Sequence, residues 1–476
     1  MASEIRVNKL NSQTGVGTIT LSPTGVDISG ITTAATLKAT TGIVTTLTAT
    51  TGIVTTLTTN TTRATTGIVT SLEATTGDIT TLRAPTGIVT SFVTNTAKVG
   101  GGVTISESGI EASGIGITVA NINGGQLGGR RNIIINGAMN VAQRGISSTT
   151  DGYQTVDRFS VEDGNEDEAC TREQAAVTSG GAYNAGFRNC LKITNGNQTG
   201  GAGATDYIQI MQRVEAQNMA NSGWNFPSSS SFITLSFWVK TSVAQAFSGS
   251  LRTADGTAYS YKFDTPVIPP NTWTKVVKTI PGNSNLTFND DNGDGLSIYL
   301  YAYLGTTYTS SNTNTETWIT AATDTYSNDM SQNWWTTNDA TFEVTGFQLE
   351  VGSQATPFEH RSFAEELALC QRYYYGNVGS GLPGFGRVNS QSMMFGIHFP
   401  IEMRVNPSMA LTVKSNAMTI AEPGESNFYP SQCTITDAHG GKKSKAFYIN
   451  STTNNSVTKG DNLFLTDDYL KFDAEL

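Results

Sequence analysis

The sequence is poor in charge and in the residues of metal and redox chemistry. Of 476 residues, 14% are charged, three are His and four are Cys. His360, His398 and His439 lie far apart in the sequence, which disfavours a His-rich metal or catalytic site. The four Cys show no CxxC spacing, so free buried thiols are expected in place of a disulfide or zinc framework. The sequence thus predicts no metal site and no cofactor.

Basic charge, long apolar runs and a targeting segment are also lacking. The net charge of −10 argues against a nucleic-acid partner, which requires clustered Lys and Arg. No run of about 18 apolar residues is present, so no membrane insertion is expected. The first ten residues lack the apolar core of a signal peptide. These observations favour a protein made in a reducing cytosol.

Glycine and hydroxyl residues are abundant instead. The chain has 49 Gly, and Thr, Ser and Asn crowd the sequence, a composition typical of strands and turns. The length allows two or three domains at about 150 residues each. We therefore predict an all-β protein.

A ten-residue repeat occupies the first third of the chain. The string ATTGIVTTLT at residues 39–48 returns at 49–58, and related copies begin at Ala64, Ala74 and Ala84. Thr, Val and Ile disfavour helix, and Gly interrupts each period. A finer five-residue repeat underlies the ten-residue one and excludes a single continuous strand. Strand side chains alternate with period two, so an odd period of five would exchange the two faces at every repeat. Short strands separated by Gly turns fit the pattern.

The energetics of the repeat favour several chains wound together. Three apolar side chains per repeat are worth roughly 1.5–3 kcal/mol each when buried. Ordering ten residues costs on the order of 10–20 kcal/mol. A single-chain solenoid and a disordered Thr-rich linker are the alternatives. Residues 36–98 are accordingly predicted to form a trimeric β-shaft with a shared core of Leu37, Ile43, Leu47, Ile53, Leu57, Ile68, Leu72, Ile79, Leu82, Ile88 and Phe92.

Two shorter segments flank the repeat. Residues 1–35 contain the alternating string TITL at 18–21 and a turn at 22–25, which predicts a small β attachment segment. Residues 99–130 combine Gly pairs with short apolar strings and are interpreted as a collar.

The remaining residues have the pattern of a β-sandwich followed by a smaller β domain. Strings 233–240 and 296–304 alternate apolar and polar residues. Residues 131–376 are predicted to form a jelly-roll-like sandwich with one short helix, which begins at the capping box of Ser362 and Glu365. Phe363, Leu367, Cys370 and Tyr374 are expected to form a narrow helical seam suited to packing on a neighbour or a symmetry mate. Residues 377–386 are interpreted as a Gly-rich linker, and 377–476 as a tip domain.

Several strings resemble tail fibres of tailed phages, especially phages that infect cyanobacteria. They are NIIINGAMNVAQRG at 132–145, VDRF at 156–159, FEVTGFQLEVG at 342–352, TPFEHRS at 356–362, EELALCQRYY at 365–374, FPIEMR at 399–404 and ASEIRVNKL at 2–10. The resemblance implies a homotrimeric fibre of the virion tail, assembled in the host cytoplasm. Its N-terminus would bind tail or baseplate proteins, and its C-terminal end would face the host surface. The resemblance implies no catalytic residues.

Candidate sugar contacts come from aromatic residues. Tyr299, Tyr301 and Tyr303 occupy alternate positions and are expected to share one face of a strand, where phenol rings can stack on sugars. Packing under a loop or between subunits is the alternative. Phe428 and Tyr429 follow a Pro-Gly turn, and Lys442, Lys443 and Lys445 form a basic cluster. Trp224, Trp334 and Trp335 are interpreted as core or loop plugs.

Two further patterns bear on metal binding and on catalysis. Residues 290–295 (DDNGDG) match the first half of a calcium loop, but position 12 is Tyr301 in place of the bidentate Glu, which favours a tight turn. No GxSxG, HExxH or phosphate-loop motif is present. Asp and Glu are abundant, so a pair of carboxylates that hydrolyses glycosides is an alternative that the sequence leaves open.

These observations predict a non-enzymatic, trimeric receptor-binding fibre. It would bind host surface polysaccharide, with lipopolysaccharide as the expected class, through many weak contacts. The alternatives are a tail-spike glycan depolymerase and a purely structural baseplate or fibre-network component.

Overall fold

The structure of the chain is a computed structural model. It describes residues 130–310, 314–387, 392–412, 419–421, 433–451 and 463–476, together with twelve short strands between residues 9 and 112. The chain divides into two compact units, Met1–Ile115 and Gly116–Leu476. The described residues confirm the predicted all-β class.

The first unit contains two small antiparallel sheets. β1 (Lys9–Asn11), β2 (Thr18–Ser22) and β3 (Gly25–Ser29) form one, and β10 (Thr96–Val99), β11 (Val103–Ser106) and β12 (Gly109–Ala112) form the other. β2 coincides with the predicted alternating string, and its last residue, Ser22, pairs with Gly25 of β3. The first of these sheets therefore lies within the predicted attachment segment.

Six strands lie within the ten-residue repeat. They are β4 (Thr48–Ala49), β5 (Gly52–Val54), β6 (Leu57–Thr58), β7 (Arg63–Ala64), β8 (Gly67–Val69) and β9 (Leu72–Glu73). β4 pairs in parallel with β7, β5 with β8 and β6 with β9. Every pair joins residues 15 positions apart, such as Ile53 with Ile68 and Leu57 with Leu72.

The pairing of the repeat strands is therefore that of a single-chain solenoid, the alternative that the sequence argument disfavoured. Short strands separated by Gly are present, as predicted. Ile53, Leu57, Ile68 and Leu72 occupy matching positions in the paired strands. The association of three chains stays a prediction. The other predicted core positions lie outside the described residues: Leu37, Ile43, Leu47, Ile79, Leu82, Ile88 and Phe92.

Twelve strands of the second unit form the sandwich. They are β13 (Ser147–Ser148), β14 (Ser160–Gly164), β15 (Thr171–Ala176), β16 (Asn189–Thr194), β17 (Tyr207–Glu215), β18 (Phe232–Thr241), β19 (Ser248–Thr253), β20 (Tyr259–Asp264), β21 (Thr274–Pro281), β22 (Asp294–Leu304), β23 (Trp318–Thr320) and β24 (Thr341–Val351). Sheet A has the order β13-β15-β16-β24-β18-β21, and sheet B has the order β14-β17-β22-β19-β20-β23. All pairs within these sheets are antiparallel.

The sandwich core follows from the alternation in the sequence. Ile233, Leu235, Phe237 and Val239 on β18 are all completely buried, as period two requires of one strand face. Phe237 stacks on Phe347 of β24 with ring centroids 5.0 Å apart. Each such side chain contributes about 1.5–3 kcal/mol through burial. Trp224, Trp334 and Trp335 are buried in the same cluster, which confirms their prediction as core plugs.

Three helices and one 3₁₀ turn accompany the sandwich. They are α1 (Gly180–Asn184), α2 (Ala216–Ala220), α3 (Phe363–Gln371) and the turn Thr323–Thr325. The predicted capping box is present, because the Glu365 amide donates to Ser362 Oγ and the Ser362 amide donates to Glu365 Oε2.

The predicted helical seam on α3 is wrong at Tyr374. Cys370 is completely buried within the chain, whereas Phe363 is 60% exposed, and its packing on a symmetry mate stays a prediction. Tyr374 lies beyond the helix, in the strand that follows it. The reason is that α3 ends at Gln371, so a heptad pattern extended to residue 374 crosses into a different element.

Seven strands from the last hundred or so residues form a further sheet, the C-terminal sheet. Its strands are β25 (Tyr374–Arg387), β26 (Ser392–His398), β27 (Ser408–Thr412), β28 (Thr419–Ala421), β29 (Cys433–Gly440), β30 (Ser444–Ser451) and β31 (Leu463–Asp473). β25 covers the Gly-rich stretch that was predicted as a linker, and it pairs with β31. That prediction is wrong because ladder hydrogen bonds need only backbone groups, which Gly supplies. The predicted boundary at residue 377 also falls inside this strand.

Arginine side chains fasten the residues that follow β31 to the sandwich. The buried Arg158 pairs through Nη1 with Glu475 Oε2, and the buried Arg144 donates through Nη2 to Glu475 Oε1 at 3.3 Å. The half-buried Arg213 donates to the Leu476 carbonyl, and the half-buried Arg404 donates to the Ala474 carbonyl at 2.7 Å and to the Asn292 carbonyl of the sandwich at 2.9 Å. The sandwich and the last sheet therefore belong to one compact unit, as the contact division also indicates.

Candidate functional site

The outer face of sheet B carries the candidate site. On β17, Ile208 and Ile210 belong to the core, so the intervening residues Gln209, Met211 and Arg213 point outward. On the neighbouring β22, Tyr299 lies on the same outer face. Period-two alternation on two adjacent strands thus places an aromatic ring beside amide and guanidinium groups.

A β-bulge in β22 separates the three predicted tyrosines. Gln209 pairs with Tyr301 and the preceding Ile208 pairs with Tyr303, so Ala302 is the extra residue. Tyr303 consequently joins the core and contacts Trp335 with ring centroids 4.9 Å apart. The expectation that all three rings share a face is wrong at Tyr303. Leu304, the next residue, lies on the outer side and lines the groove.

The two remaining tyrosines differ in accessibility. Tyr301 is completely buried, and its hydroxyl shares a 2.7 Å hydrogen bond with Ser250 Oγ. Tyr299 is half-buried and stacks on Tyr301, with centroids 6.0 Å apart and an interplanar angle of 12°. Tyr301 therefore packs against the Tyr299 ring and is itself covered. Of the three predicted tyrosines, only Tyr299 is accessible from the outer face.

A groove of about 300 Å³ opens over this face. Its lining combines four tyrosines with polar and apolar side chains from three strands and from the segments on either side of β23: Glu162, Tyr207, Gln209, Met211, Arg213, Tyr299, Leu304, Tyr308 and Tyr326. Strands β14, β17 and β22 supply the floor, while Tyr308 lies before β23 and Tyr326 lies after it. The floor is therefore part of a hydrogen-bonded sheet, which holds its side chains in fixed positions.

The four groove tyrosines form a continuous edge-to-face series. Ring centroids are 5.9 Å apart for Tyr207 and Tyr308, 6.4 Å for Tyr308 and Tyr326, and 5.7 Å for Tyr326 and Tyr299. All three interplanar angles lie between 83° and 89°. Edge-to-face packing of this kind is favourable and leaves ring faces available to a ligand. The Arg252 guanidinium lies 3.7 Å above the Tyr326 ring and fixes its orientation.

The groove is close to electrically neutral. Arg213 faces Asp294 Oδ2 at 3.5 Å and also donates to the Leu476 carbonyl. Glu162 accepts a 2.8 Å hydrogen bond from Gln209 Nε2 through Oε2 and a 3.2 Å bond from Ser160 Oγ through Oε1. Burial raises the pKa of Tyr299 to about 12, so its phenol stays protonated at neutral pH. The site thus offers neutral hydroxyls, one amide and one hydrogen-bonded carboxylate.

Of the four groove tyrosines, only Tyr299 was predicted from the sequence as a sugar contact. Tyr207 and Gln209 lie in an alternating string, YIQI, which is itself a strand signal. Tyr308 and Tyr326 lie outside the strands, before and after β23, so no periodic pattern places them beside Tyr299. Phe428 and Tyr429, the other predicted sugar contacts, lie outside the described residues.

The three lysines of the predicted basic cluster, Lys442, Lys443 and Lys445, differ in burial and in their partners. Lys445 is buried, and its Nζ lies 2.5 Å from Asp437 Oδ2 and 2.8 Å from Asn406 Oδ1. Lys443 is 79% exposed and faces Glu402 at 3.6 Å. Lys442 is exposed. The cluster therefore does not present three free ammonium groups on one surface.

The calcium-like string forms a turn, as the sequence favoured. Asp291 Oδ1 accepts a 2.9 Å hydrogen bond from the Gly293 amide, and Asp294 Oδ2 accepts one from Ser297 Oγ. Asn292 donates to the Arg404 carbonyl at 2.6 Å. Within the described part of the chain no group of three His, Cys, Asp or Glu residues is arranged to hold a metal ion.

The described cysteines agree with the sequence. Cys170, Cys190 and Cys370 are free and buried. Burial raises the pKa of Cys190 to about 12, and the pKa values of Cys170 and Cys370 are also raised by burial. These thiols are therefore poor nucleophiles and have no role in the groove.

Comparisons with solved structures return a phage tailspike and several carbohydrate-binding modules. The enzymatically active domain of bacteriophage CBA120 tailspike protein 4 is 10% identical over 46% of this chain and 21% of that chain, with a TM-score of 0.26. The N-terminal cellulose-binding domain of Cellulomonas fimi beta-1,4-glucanase C is 10% identical over 45% of this chain and 99% of that chain, with a TM-score of 0.23. The family 11 carbohydrate-binding module of Clostridium thermocellum Lic26A-Cel5E is 13% identical over 45% of this chain and 98% of that chain, with a TM-score of 0.21.

At these identities and scores the likeness carries no inference about function. The chain spans about a fifth of the tailspike domain that it matches. No known protein family and no curated protein sequence matches the chain. A search of the described residues finds no helix that is both long and apolar enough to cross a membrane.

Proposed function

We propose that this protein is a receptor-binding tail fibre of a tailed phage that attaches the virion to a glycan on the host surface. The observation that carries the proposal is the open, neutral groove on sheet B, lined by Tyr207, Tyr299, Tyr308 and Tyr326. The phage assignment rests on the sequence strings that resemble tail fibres, especially those of phages that infect cyanobacteria.

The groove has the chemistry that sugar recognition needs. Tyr rings can cover the apolar C–H face of a pyranose, while their hydroxyls donate to or accept from its hydroxyl groups. The Glu162 carboxylate, positioned by Gln209, can accept hydrogen bonds from two neighbouring sugar hydroxyls. Because Arg213 is already engaged by Asp294 and the Leu476 carbonyl, the groove suits an uncharged sugar unit.

In this proposal the fibre binds without cleaving its receptor. Three copies associate through the repeat and the flanking segments, and the N-terminal segment docks on the phage tail or baseplate. A single small groove binds weakly, so several linked heads reach useful affinity by raising the effective concentration of binding sites. A host surface polysaccharide such as lipopolysaccharide supplies the repeated epitope that this mechanism requires.

The test uses the full-length protein and an array of neutral and acidic bacterial surface glycans. A hit is then titrated against Tyr299→Ala and Tyr308→Ala, which remove two groove rings. Loss of one aromatic contact of about 1–2 kcal/mol weakens binding roughly 5- to 30-fold. Tyr183→Ala removes an exposed tyrosine on α1, away from the groove lining, and serves as the matched control.

Two results would overturn the proposal. If both groove variants bind the hit as tightly as the wild type while circular dichroism shows intact folding, the groove is not the site. If incubation with the polysaccharide releases new reducing ends, the protein is a depolymerase. Sedimentation of the full chain at three times its monomer mass is the expected result for the trimer, and a monomer would contradict that part.

A further inference from the structure

A cavity of about 290 Å³ opens where the described part of the second unit begins. Its charged lining consists of three arginines, Arg130, Arg131 and Arg361. None of the described residues that line it is Asp or Glu, although the whole chain has a net charge of −10. The cavity shares no lining residue with the tyrosine groove. It is therefore a separate place on the surface, and it differs from the groove in charge.

Arg131 offers donors that a ligand can reach. Its Nη1 donates to Thr356 Oγ1 at 2.9 Å, and its Nη2 donates to the Pro357 carbonyl at 3.4 Å in an exposed contact. These bonds occupy two of the five N–H groups of the guanidinium. Arg131 Nε makes no hydrogen bond with the described residues, and it is not sealed from solvent, in contrast to the unpartnered Arg361 Nε. The open donors of the cavity are therefore those of Arg131 and not those of Arg361.

The other two arginines have acidic partners of unequal strength. Arg130 faces Glu365 Oε1 at 3.8 Å, but the two side chains are 57% and 52% exposed, so the pair is weak and the guanidinium stays accessible. Arg361 is 6% exposed and lies 3.4 Å from Glu366 Oε1, which compensates its charge. Arg361 therefore belongs to the wall of the cavity, whereas Arg130 presents a charge to it.

The charge of Arg131 is the least compensated of the three. No carboxylate of the described residues forms an ion pair with it. Its contacts lead to a carboxylate only through Thr356, whose hydroxyl donates to Glu350 Oε2 at 2.6 Å. Glu350 is buried and does not line the cavity. A ligand in the cavity thus meets the guanidinium before it meets any negative charge.

The opposite wall suits the uncharged part of a sugar. Asn218 of α2 is exposed, and its side chain makes no hydrogen bond with the described residues. Asn221 commits the N–H groups of its amide to neighbouring oxygens, so its Oδ1 is free to accept. Ile133 and Leu369 are half-buried and add apolar surface. Hydroxyl groups and C–H groups of one pyranose therefore both find partners here.

We propose that this cavity binds the anionic substituent of a glycan, a carboxylate or a phosphate, through Arg130 and Arg131. Guanidinium groups form charge-assisted hydrogen bonds in a planar fork that matches either anion. The assignment of the anion to a glycan rests on the proposed function, whereas the anion chemistry stands on the cavity alone. The protein then recognises a neutral unit in the tyrosine groove and an acidic unit in this cavity.

The test compares sugars that differ in charge. The full-length protein is titrated calorimetrically with methyl glucuronide, glucose 6-phosphate, methyl glucoside and inorganic phosphate. The same titrations in Tyr299→Ala, which lacks one ring of the groove, isolate the cavity. An acidic sugar is expected to bind there roughly tenfold more tightly than methyl glucoside, which lacks the anion. Raising the salt concentration from about 0.05 to about 0.5 M should weaken only the acidic sugar, because salt screens the attraction between opposite charges.

Two arginine variants and a matched control locate the site. Arg131→Gln is expected to weaken binding of the acidic sugar roughly 5- to 30-fold. Arg188→Gln makes the same change in charge at an exposed arginine that donates to the Tyr183 carbonyl at 3.0 Å and does not line the cavity, so it should leave binding unchanged. Arg130→Gln alters a more exposed side chain and should weaken binding about 2- to 5-fold. It keeps the test valid if Arg131→Gln fails to fold.

The outcomes separate this proposal from the proposed function. Equal affinities for methyl glucuronide and methyl glucoside, or equal losses in the Arg131 and Arg188 variants, would overturn the anion site. Inorganic phosphate that binds as tightly as both acidic sugars would overturn the glycan part and leave a site for small anions. The tighter of the two acidic sugars identifies the substituent as a carboxylate or a phosphate. Binding of methyl glucuronide by a protein that retains no glycan from the array would overturn the proposed function and leave the anion site standing.

Discussion

Replacing Glu475 by Gln tests whether the buried arginines hold the C-terminal sheet on the sandwich. Glu475 is 6% exposed, and its two oxygens face the guanidinium groups of Arg158 and Arg144, which are 2% and 7% exposed. Burial is the largest single influence on the pKa of Arg158 and lowers it, but Glu475 and the weaker contributions of Tyr373, Tyr153 and Cys370 together raise this pKa above its ordinary value, so the arginine stays charged. Removing the carboxylate leaves buried positive charge uncompensated, at a cost of about 3–5 kcal/mol.

Urea unfolding of the full chain, followed by tryptophan fluorescence, measures this cost. All six Trp lie between residues 224 and 335, so the signal reports on the sandwich. The matched control is Glu316→Gln. Glu316 pairs with Lys278 at 2.6 Å, but its side chain is 51% exposed, so its loss costs at most about 1 kcal/mol.

Equal urea midpoints for the Glu475 and Glu316 variants would refute the reasoning. A double-mutant cycle with Arg158→Gln adds a second check. If the two buried charges compensate each other, the double variant loses less stability than the sum of the single variants, by more than about 1 kcal/mol. Additive losses would show that the pair is not coupled.

Three further predictions concern single positions. Burial raises the pKa of Asp157 to about 6, above the unfolded value of 3.8, so the folded state holds this proton more tightly. The stability that protonated Asp157 contributes is therefore complete below about pH 4 and is lost as the pH rises through 6. Between pH 5 and 7 the free energy of unfolding should fall by roughly 1 kcal/mol. Urea titrations at these two pH values should show this fall in the wild type and not in Asp157→Asn. Ser362→Ala removes the acceptor of the Glu365 amide and should lower the free energy of unfolding by about 1 kcal/mol, whereas Ser362→Asp should retain it. Gly346→Ala should cost about 1–3 kcal/mol in the same assay, because φ is 68° and the new Cβ would lie 2.6 Å from Phe187 Cζ; no loss would mean that the strand relaxes there.

The regular parts of the fold could be predicted because they follow local periodicity. The alternating strings at 233–240 and 296–304 lie within β18 and β22, and the capping box of Ser362 starts α3 where expected. Each of these signals depends on neighbours within a few residues, which a sequence displays directly. The all-β class followed from the same signals together with composition.

The irregular parts depend on contacts between distant residues. The Gly-rich string at 377–386 becomes a strand because β31, about 90 residues later, pairs with it. The groove forms because the segments on either side of β23 carry Tyr308 and Tyr326 over Tyr299. The repeat is different, because its 15-residue register pairs equivalent residues of two consecutive copies, GIV at 52–54 with GIV at 67–69, and the sequence already shows five extra residues between those copies.

The single extra residue in β22 makes the effect of a length change depend on where in the strand it falls. Deleting Ala302 would close the bulge and restore strict alternation, while Tyr303 would stay opposite Ile208 in the core and Leu304 would stay on the groove face. Adding or removing a residue elsewhere in the strand would instead exchange the two faces beyond that point. Loss or gain of one codon outside the bulge would therefore change the aromatic surface presented to a ligand more than any single substitution, and a lineage under pressure to recognise new partners could change it by indels in this strand.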